Sequence, residues 1–127
     1  SAMYKPFHLI GLELNVSVLA AGLLGRPTGA ARDFAGDVAA TAKRDLAAGE
    51  TLDGEGGYTV YGTLLPAPAS LERGALPIGL AHGAALKRAV GAGKVVCWDD
   101  VELDSGLDAV RARRAMEARF AGGPAAE

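Results

Sequence analysis

Hydrophobic positions near the amino terminus recur with the period of an α-helix. Between Phe7 and Leu24 one apolar stripe consists of Leu12, Val16, Leu19 and Leu23. Further aliphatic residues leave this segment little polar face, and Gly25 and Pro27 give a stop signal after it. A helix that is apolar on nearly all sides is normally buried on more than one side. We therefore expect it to pack against another chain or against a further domain.

The hydrophobic pattern changes at Gly36 and keeps its new character up to Leu103. Apolar runs become short and are bounded by Gly, Pro and Asp, which predicts short strands and turns. The predicted strands are Asp37–Thr41, Tyr58–Leu65, Ile78–Leu80 and Lys94–Trp98. Between the second and the third of them, the prolines of Leu65–Ser70 predict a rigid connection.

A helical period returns at Ser105. Ser105 with Asp108 three positions later predicts a helix N-cap followed by a carboxylate in the first turn. We expect a weakly amphipathic helix that ends before Gly122. The expected organisation is an apolar helical segment at 3–35, a strand-rich domain at 36–104, a helix at 105–121 and a disordered tail at 122–127.

Composition and charge exclude several classes of protein. The net charge is −2, which gives no electrostatic footprint for nucleic acid. The longest uncharged apolar run, Leu14–Leu24, is too short to cross a bilayer, so we expect no membrane partner. The chain has one cysteine, Cys97, which excludes an intrachain disulfide framework and fits a reducing cytoplasm.

Residues 42–53 and 86–97 form an internal repeat with an offset of 44 positions. Each copy has a basic strand end, an apolar anchor, an Ala-Gly turn and a second short strand. The glycine supplies the positive φ that such a turn often requires. The aligned pairs are Lys43 with Lys87, Arg44 with Arg88, Leu46 with Val90, Ala48 with Ala92, Gly49 with Gly93 and Leu52 with Val96. The repeat predicts a pseudo-twofold unit in which each copy buries the apolar face of the other.

The repeated segments resemble an SAF domain, the β-clip module of antifreeze-like proteins, sialic acid synthases and sugar-acid dehydratases. The resemblance rests on Lys43–Leu52, Ile78–Ala81 and Leu86–Gly93 and covers roughly residues 37–103. It implies a mainly β fold of the SAF or β-clip type, with a pseudo-twofold internal repeat and flanking helices.

The flanks of the repeat resemble a second, more specific group. Tyr4–Leu14 and Gly25–Gly29 are similar to the C-terminal region of homoserine-dehydrogenase-like NAD(P)-dependent oxidoreductases, which include deoxyxylulose-phosphate-reductoisomerase-like enzymes. The resemblance implies a C-terminal domain whose Rossmann and catalytic domains lie outside this sequence, with NAD(P) as the cofactor of the parent enzyme. It places His8 and Glu13 at the domain junction. The implied role is structural, in assembly of a homo-oligomer or in covering the active site.

The chain itself offers no motif for catalysis, and we expect no catalytic residue, cofactor or metal in it. The glycine-rich stretch Gly54–Thr59 lacks the last glycine of a dinucleotide fingerprint and a helix after it, so we interpret it as a turn. The two histidines, His8 and His82, are too few for a histidine-based metal cluster.

Two basic pairs leave a binding function open. The pairs Lys43–Arg44 and Lys87–Arg88 could converge on a carboxylate or phosphate, because arginine binds such groups bidentately. Nearby Tyr58 and Tyr61 could stack against a sugar. In the alternative interpretation, the basic residues are solvated strand ends that protect sheet edges from aggregation. The second functional hypothesis is therefore a module that binds a sugar acid or another small anion.

Overall fold

The computed structural model describes residues 4, 6–7, 9–29 and 33–121. The predicted tail at 122–127 and the junction residue His8 lie outside the described residues. The chain divides into two compact units, Ser1–Arg32 and Asp33–Glu127. Each unit is described by itself below.

The first unit contains helix α1, Ile10–Leu24. It begins three residues after the predicted start at Phe7, and its N-cap residue Leu9 makes no side-chain capping bond. The predicted stop at Gly25 is confirmed, since Gly25 leaves the helix with a φ of 60° and donates its N–H to the carbonyl of Ala20. No residue of α1 is buried.

The second unit combines short helices with two small antiparallel sheets, a roughly mixed α/β content. In chain order the elements are β1 (Gly36–Ala42), β2 (Val60–Pro66), α2 (Ala67–Arg73), β3 (Ala85–Leu86), β4 (Val101–Glu102) and α3 (Asp108–Phe120). β1 pairs with β2 and β3 pairs with β4. Single turns of 3-10 helix lie at Ile78–Leu80 and Trp98–Asp100.

Strand β1 makes backbone contacts along both of its edges. On one side it pairs with β2 in a register that sets Gly36 opposite Pro66 and Ala42 opposite Val60. On its other side the Ala40 N–H donates to the carbonyl of Leu76 at 2.8 Å. Both edges of β1 are therefore used, which is consistent with burial of most of its side chains.

Backbone hydrogen bonds join residues 42–53 to residues 86–97 around one reciprocal pair. Leu46 donates to Val90 at 2.9 Å and Val90 donates to Leu46 at 3.0 Å. Each further backbone bond between the segments has a counterpart, found by adding 44 to the residue number in the first segment and subtracting 44 from the number in the second. Written donor to acceptor, the paired bonds are Ala42 to Lys94 with Leu86 to Glu50, Gly93 to Ala42 with Gly49 to Leu86, and Val96 to Ala40 with Leu52 to Ala84. These bonds follow a local two-fold pattern.

The turns that close the two segments also correspond. Gly49 has a φ of 83° and Gly93 a φ of 72°, a left-handed conformation that a side chain would strain. The Glu50 N–H donates to Ala47 at 3.2 Å, and Lys94 donates to Gly91 at 3.1 Å. The core lies between the segments, and its buried members are Ala40, Ala42, Leu46, Leu52, Val60, Leu76, Ala81, Ala84, Leu86, Val90, Val96 and Val101.

Several local predictions are wrong in detail. Ile78–Leu80 forms a helical turn where a strand was expected, because its N–H groups bond back along the chain and not to a neighbouring strand. Proline is tolerated in the first helical turn, so the segment after Pro66 forms α2 and not the expected rigid connection. Helix α3 begins at Asp108 with Leu107 at the N-cap, and Ser105 makes no cap.

Candidate functional site

The two Lys-Arg pairs lie on opposite sides of the Leu46–Val90 bridge. Lys43 and Arg44 fall between the Thr41–Val95 bridge and the Leu46–Val90 bridge, and Lys87 and Arg88 fall between the Leu46–Val90 bridge and the Thr51–Ala85 bridge. The two-fold pattern thus places the two basic pairs apart from each other. Each pair has different neighbours.

The two members of the first pair have different partners. The Lys43 ammonium group donates to the carbonyl of Gly57. The Arg44 guanidinium forms an ion pair with Glu50 and also donates to the carbonyl of Asp45 at 3.1 Å. The hydrogen bond from Arg44 lowers the pKa of Glu50, and the same contact raises the pKa of Arg44. Arg44 therefore stabilises the turn that contains Gly49, and Lys43 contacts the glycine-rich loop.

In the second pair, Arg88 forms an ion pair and Lys87 does not. The Arg88 Nε donates to the carboxylate of Asp100, a nearly buried side chain, and this hydrogen bond raises the pKa of Arg88. The other oxygen of Asp100 accepts the N–H of Cys97 at 2.7 Å. The ammonium group of Lys87 has no acceptor within hydrogen-bond distance among residues 4, 6–7, 9–29 and 33–121. Both lysines of these pairs therefore lack a carboxylate partner among the described residues, since Lys43 contacts only a neutral carbonyl.

Lys87 lines an open groove of about 470 Å³. The groove combines an aromatic ring with charges of both signs, and its lining is Lys87, Trp98, Asp99, Val101, Glu102, Leu103, Ser105, Val110, Arg111 and Arg114. The Arg114 guanidinium lies 3.7 Å from the centre of the Trp98 ring, a cation–π contact. The Trp98 Nε1 donates to Glu117 at 3.2 Å, which fixes the ring. The groove can accept a small polar molecule that carries a carboxylate or phosphate.

The two tyrosines lie near the first basic pair and away from this groove. Tyr58 is 86% exposed and follows the turn that begins at Asp53, whereas Tyr61 is 44% exposed and lies in β2 opposite Thr41. The Asp53 carboxylate accepts hydrogen bonds from the Thr59 hydroxyl, the Tyr58 N–H and the Thr59 N–H, which lower its pKa to about 2. The glycine-rich loop is thus held by Asp53, which agrees with its interpretation as a turn.

A buried ion network that the sequence did not indicate attaches α3 to the sheet. The Arg113 guanidinium donates to both oxygens of Asp37, one of them at 2.9 Å, and its Nε donates to Glu117 at 2.8 Å. The Ser70 hydroxyl donates to Asp37 as well. Burial opposes ionisation of Asp37, but the bonds from Arg113 and Ser70 outweigh it and lower the pKa. The available signal was an aspartate inside an apolar strand pattern, which requires a buried partner.

The remaining candidates have structural surroundings. Glu13 lies in the first turn of α1, where its carboxylate accepts the Leu9 N–H at 3.4 Å. Cys97 is half-buried, and burial together with the charge of Asp100 raises the pKa of its thiol, which disfavours the reactive thiolate form. Within the described part of the chain no three His, Cys, Asp or Glu side chains are grouped so that they could hold a metal ion.

Comparison with known proteins gives no match, either to a protein-family model or to a curated protein. Of the helices in the described ranges, none has the length and apolar character needed to cross a membrane.

Proposed function

We propose that this chain is an SAF-type β-clip domain at the C-terminal end of an NAD(P)-dependent oxidoreductase of the homoserine-dehydrogenase-like group. Its role is structural, in assembly or in covering the active site, and hydride transfer belongs to the rest of the parent enzyme. A Rossmann domain there binds NAD(P), and the protein works as a cytoplasmic homo-oligomer. The motif resemblance and the two-fold bond pattern around Leu46 and Val90 support the domain type.

The observation that carries the assembly role is the exposure of α1. Its large apolar side chains are between 54% and 77% exposed, and they are Ile10, Leu12, Leu14, Val16, Val18, Leu19, Leu23 and Leu24. Contiguous apolar surface of this kind marks a protein interaction site. The apolar side chains of α1 occupy two opposite sides of the helix. One stripe consists of Leu12, Val16, Leu19 and Leu23, and the other consists of Ile10, Leu14, Val18 and Leu24. A helix with two such sides is suited to lie between two partners.

The first experiment measures self-association of the whole chain. At rising concentration, light scattering after size exclusion should show that Leu12→Asp lowers the average mass relative to wild type, because a carboxylate then enters the apolar interface. Asn15→Asp is the matched control, since it places the same charge at a polar position of the same helix. Equal masses for wild type and Leu12→Asp over the whole range would contradict a docking role for α1.

A second experiment tests the proposed parent enzyme. The genomic reading frame upstream of the codons for this chain should encode a strand, a Gly-x-Gly-x-x-Gly turn and a helix, the unit that binds a dinucleotide. A stop codon in that place would remove the oxidoreductase proposal. The binding-module alternative would then remain.

That alternative, an anion-binding or sugar-acid-binding module, is favoured by the Lys87 groove. Titration with a hexuronate and with a sugar phosphate, followed by NMR shifts of the Trp98 indole N–H, should then show saturable binding that Lys87→Ala abolishes. Lys94→Ala is the control, because Lys94 is exposed on a turn outside the groove. If neither ligand moves the Trp98 signal, the assembly role stands and the binding module is excluded for these ligands.

A further inference from the structure

The outer edge of β2 carries backbone groups that β1 does not use. The Lys43 N–H donates to the carbonyl of Thr59 at 2.9 Å, which continues the register of β1 and β2 by one pair. Hydrogen-bonded and non-hydrogen-bonded pairs alternate along an antiparallel ladder. The residues of β2 that turn their backbone groups toward β1 are Tyr61, Thr63 and Leu65. Gly62 and Leu64 therefore direct their N–H and carbonyl groups away from the sheet.

This edge lacks the usual protection against pairing. Natural edge strands are commonly shielded by charged side chains, bulges or prolines. β2 carries no charged residue, and its register with β1 is continuous, without a bulge. Proline stands only at its last position, Pro66. Leu64 is 74% exposed and Tyr61 44% exposed, so the edge is accessible in the second unit.

We propose that the outer edge of β2 pairs antiparallel with β2 of a second copy of this chain, about a two-fold axis at Thr63. This inference is independent of the proposed function. In this register Gly62 of one copy lies opposite Leu64 of the other, and their outward N–H and carbonyl groups satisfy one another. Tyr61 lies opposite Leu65, an aromatic and aliphatic pair of the kind that stabilises sheets. The two β1–β2 sheets become one four-stranded sheet.

The strand is complementary to itself in this register. Gly62 has no side chain, and the Cγ1 atom of Val38 lies 2.6 Å from the place where a Cβ would be. Ile78 also borders this place. Val38 is 42% exposed there, so Leu64 from the second copy gains an apolar surface to pack on. β2 carries no charge, so two identical strands do not repel each other. The occupant is a second copy because each strand offers the other the same Gly62 gap and the same Leu64 side chain.

Disulfide trapping tests both the partner and the register. In a Cys97→Ala background of the whole chain, Thr63→Cys places two thiols across a non-hydrogen-bonded pair, where Cα atoms lie about 4.5 Å apart and a disulfide fits. Under mild oxidation it should form a covalent dimer at least about tenfold faster than Tyr58→Cys, because pairing raises the local thiol concentration. Tyr58 is the control because its greater exposure favours random collision. Equal rates for both variants would overturn the proposal.

A second measurement does not depend on the Thr63→Cys variant folding. With both apolar stripes of α1 interrupted by Leu12→Asp and Leu14→Asp, light scattering at about 0.1 mM should show a dimer. Adding Leu64→Lys should give a monomer, since lysine at a sheet edge commonly prevents pairing. Leu64 is mostly exposed, so the lysine leaves the fold intact, as circular dichroism should show. If the chain with both α1 substitutions is a monomer, or if Leu64→Lys leaves its dimer unchanged, pairing through β2 is refuted.

Discussion

Replacing Asp37 by asparagine should destabilise the second unit strongly, because it removes one charge of a buried pair. The Asp37 side chain is 5% exposed and that of Arg113 13% exposed, and two of the guanidinium N–H groups bond to the carboxylate. Breaking a buried ion pair by removing one partner costs about 3–5 kcal/mol. Arg113 keeps its bond to Glu117 at 2.8 Å, so we expect the lower end, about 3 kcal/mol.

Urea unfolding followed by Trp98 fluorescence measures this loss, since Trp98 bonds to Glu117 of α3. In thermal unfolding, a domain of this size loses about 4–8 °C of melting temperature per kcal/mol, so the melting temperature should fall by roughly 12–24 °C. Asp108→Asn is the control, because the Asp108–Arg111 pair is exposed and such pairs are worth about 0–1 kcal/mol. A loss below about 1 kcal/mol for Asp37→Asn would refute the role assigned to the network.

The pH dependence of stability gives an independent reading of the same pair. The folded state lowers the pKa of Asp37 below its ordinary value of 3.8. The stability that ionised Asp37 contributes is therefore fully present above about pH 4 and is lost as the pH falls through the lowered pKa. The difference in unfolding free energy between wild type and Asp37→Asn should shrink over that acidic range. A difference that stays constant down to pH 2 would show that the charge of Asp37 does not matter.

Three further predictions follow from backbone geometry and from the glycine-rich loop. Gly49→Ala and Gly93→Ala should each lower the unfolding free energy by about 1 kcal/mol in urea titrations, because both positions have positive φ; a large inequality would contradict the equivalence of the two turns. Gly62→Ala should destabilise through the 2.6 Å approach to Val38, and Val38→Ala in the same chain should recover part of the loss. Carbon-13 NMR should show that the carboxyl of Asp53 titrates near pH 2, and a midpoint near 4 would mean that the loop bonds are not formed in solution.

Much of the local fold could be predicted from hydrophobic spacing. The pattern located α1 and its stop at Gly25, and it located β1 and β2 to within two residues. The run in α1 is long, so many residues contribute to its signal, and the two strands are bounded by turn-forming residues. The offset of 44 positions also identified Leu46 and Val90, the residues that donate to each other in the structure.

The details that failed depend on contacts remote in sequence. Ile78–Leu80 has the composition of a strand and lies beside β1 and β2, but the Leu80 N–H bonds to Pro77 and forms a helical turn. The segment Lys94–Trp98 makes single bridges to Thr41 and Ala75 in place of a continuous strand. Arg113 lies 76 positions from Asp37, and no local pattern connects the two. The same is true of the basic pairs, whose acceptors follow from turn geometry and not from spacing.

The tilted contact of Phe34 with Phe120, with ring centroids 6.1 Å apart, brings the entry and the exit of the second unit side by side. Because its two ends are close together, the unit can replace a short surface loop of a host polypeptide without changing the distance that the loop spans. It can be transplanted between positions 33 and 121 into an unrelated scaffold without pulling its ends apart. For the same reason we expect that a short linker can join residues 33 and 121 in a circularly permuted chain.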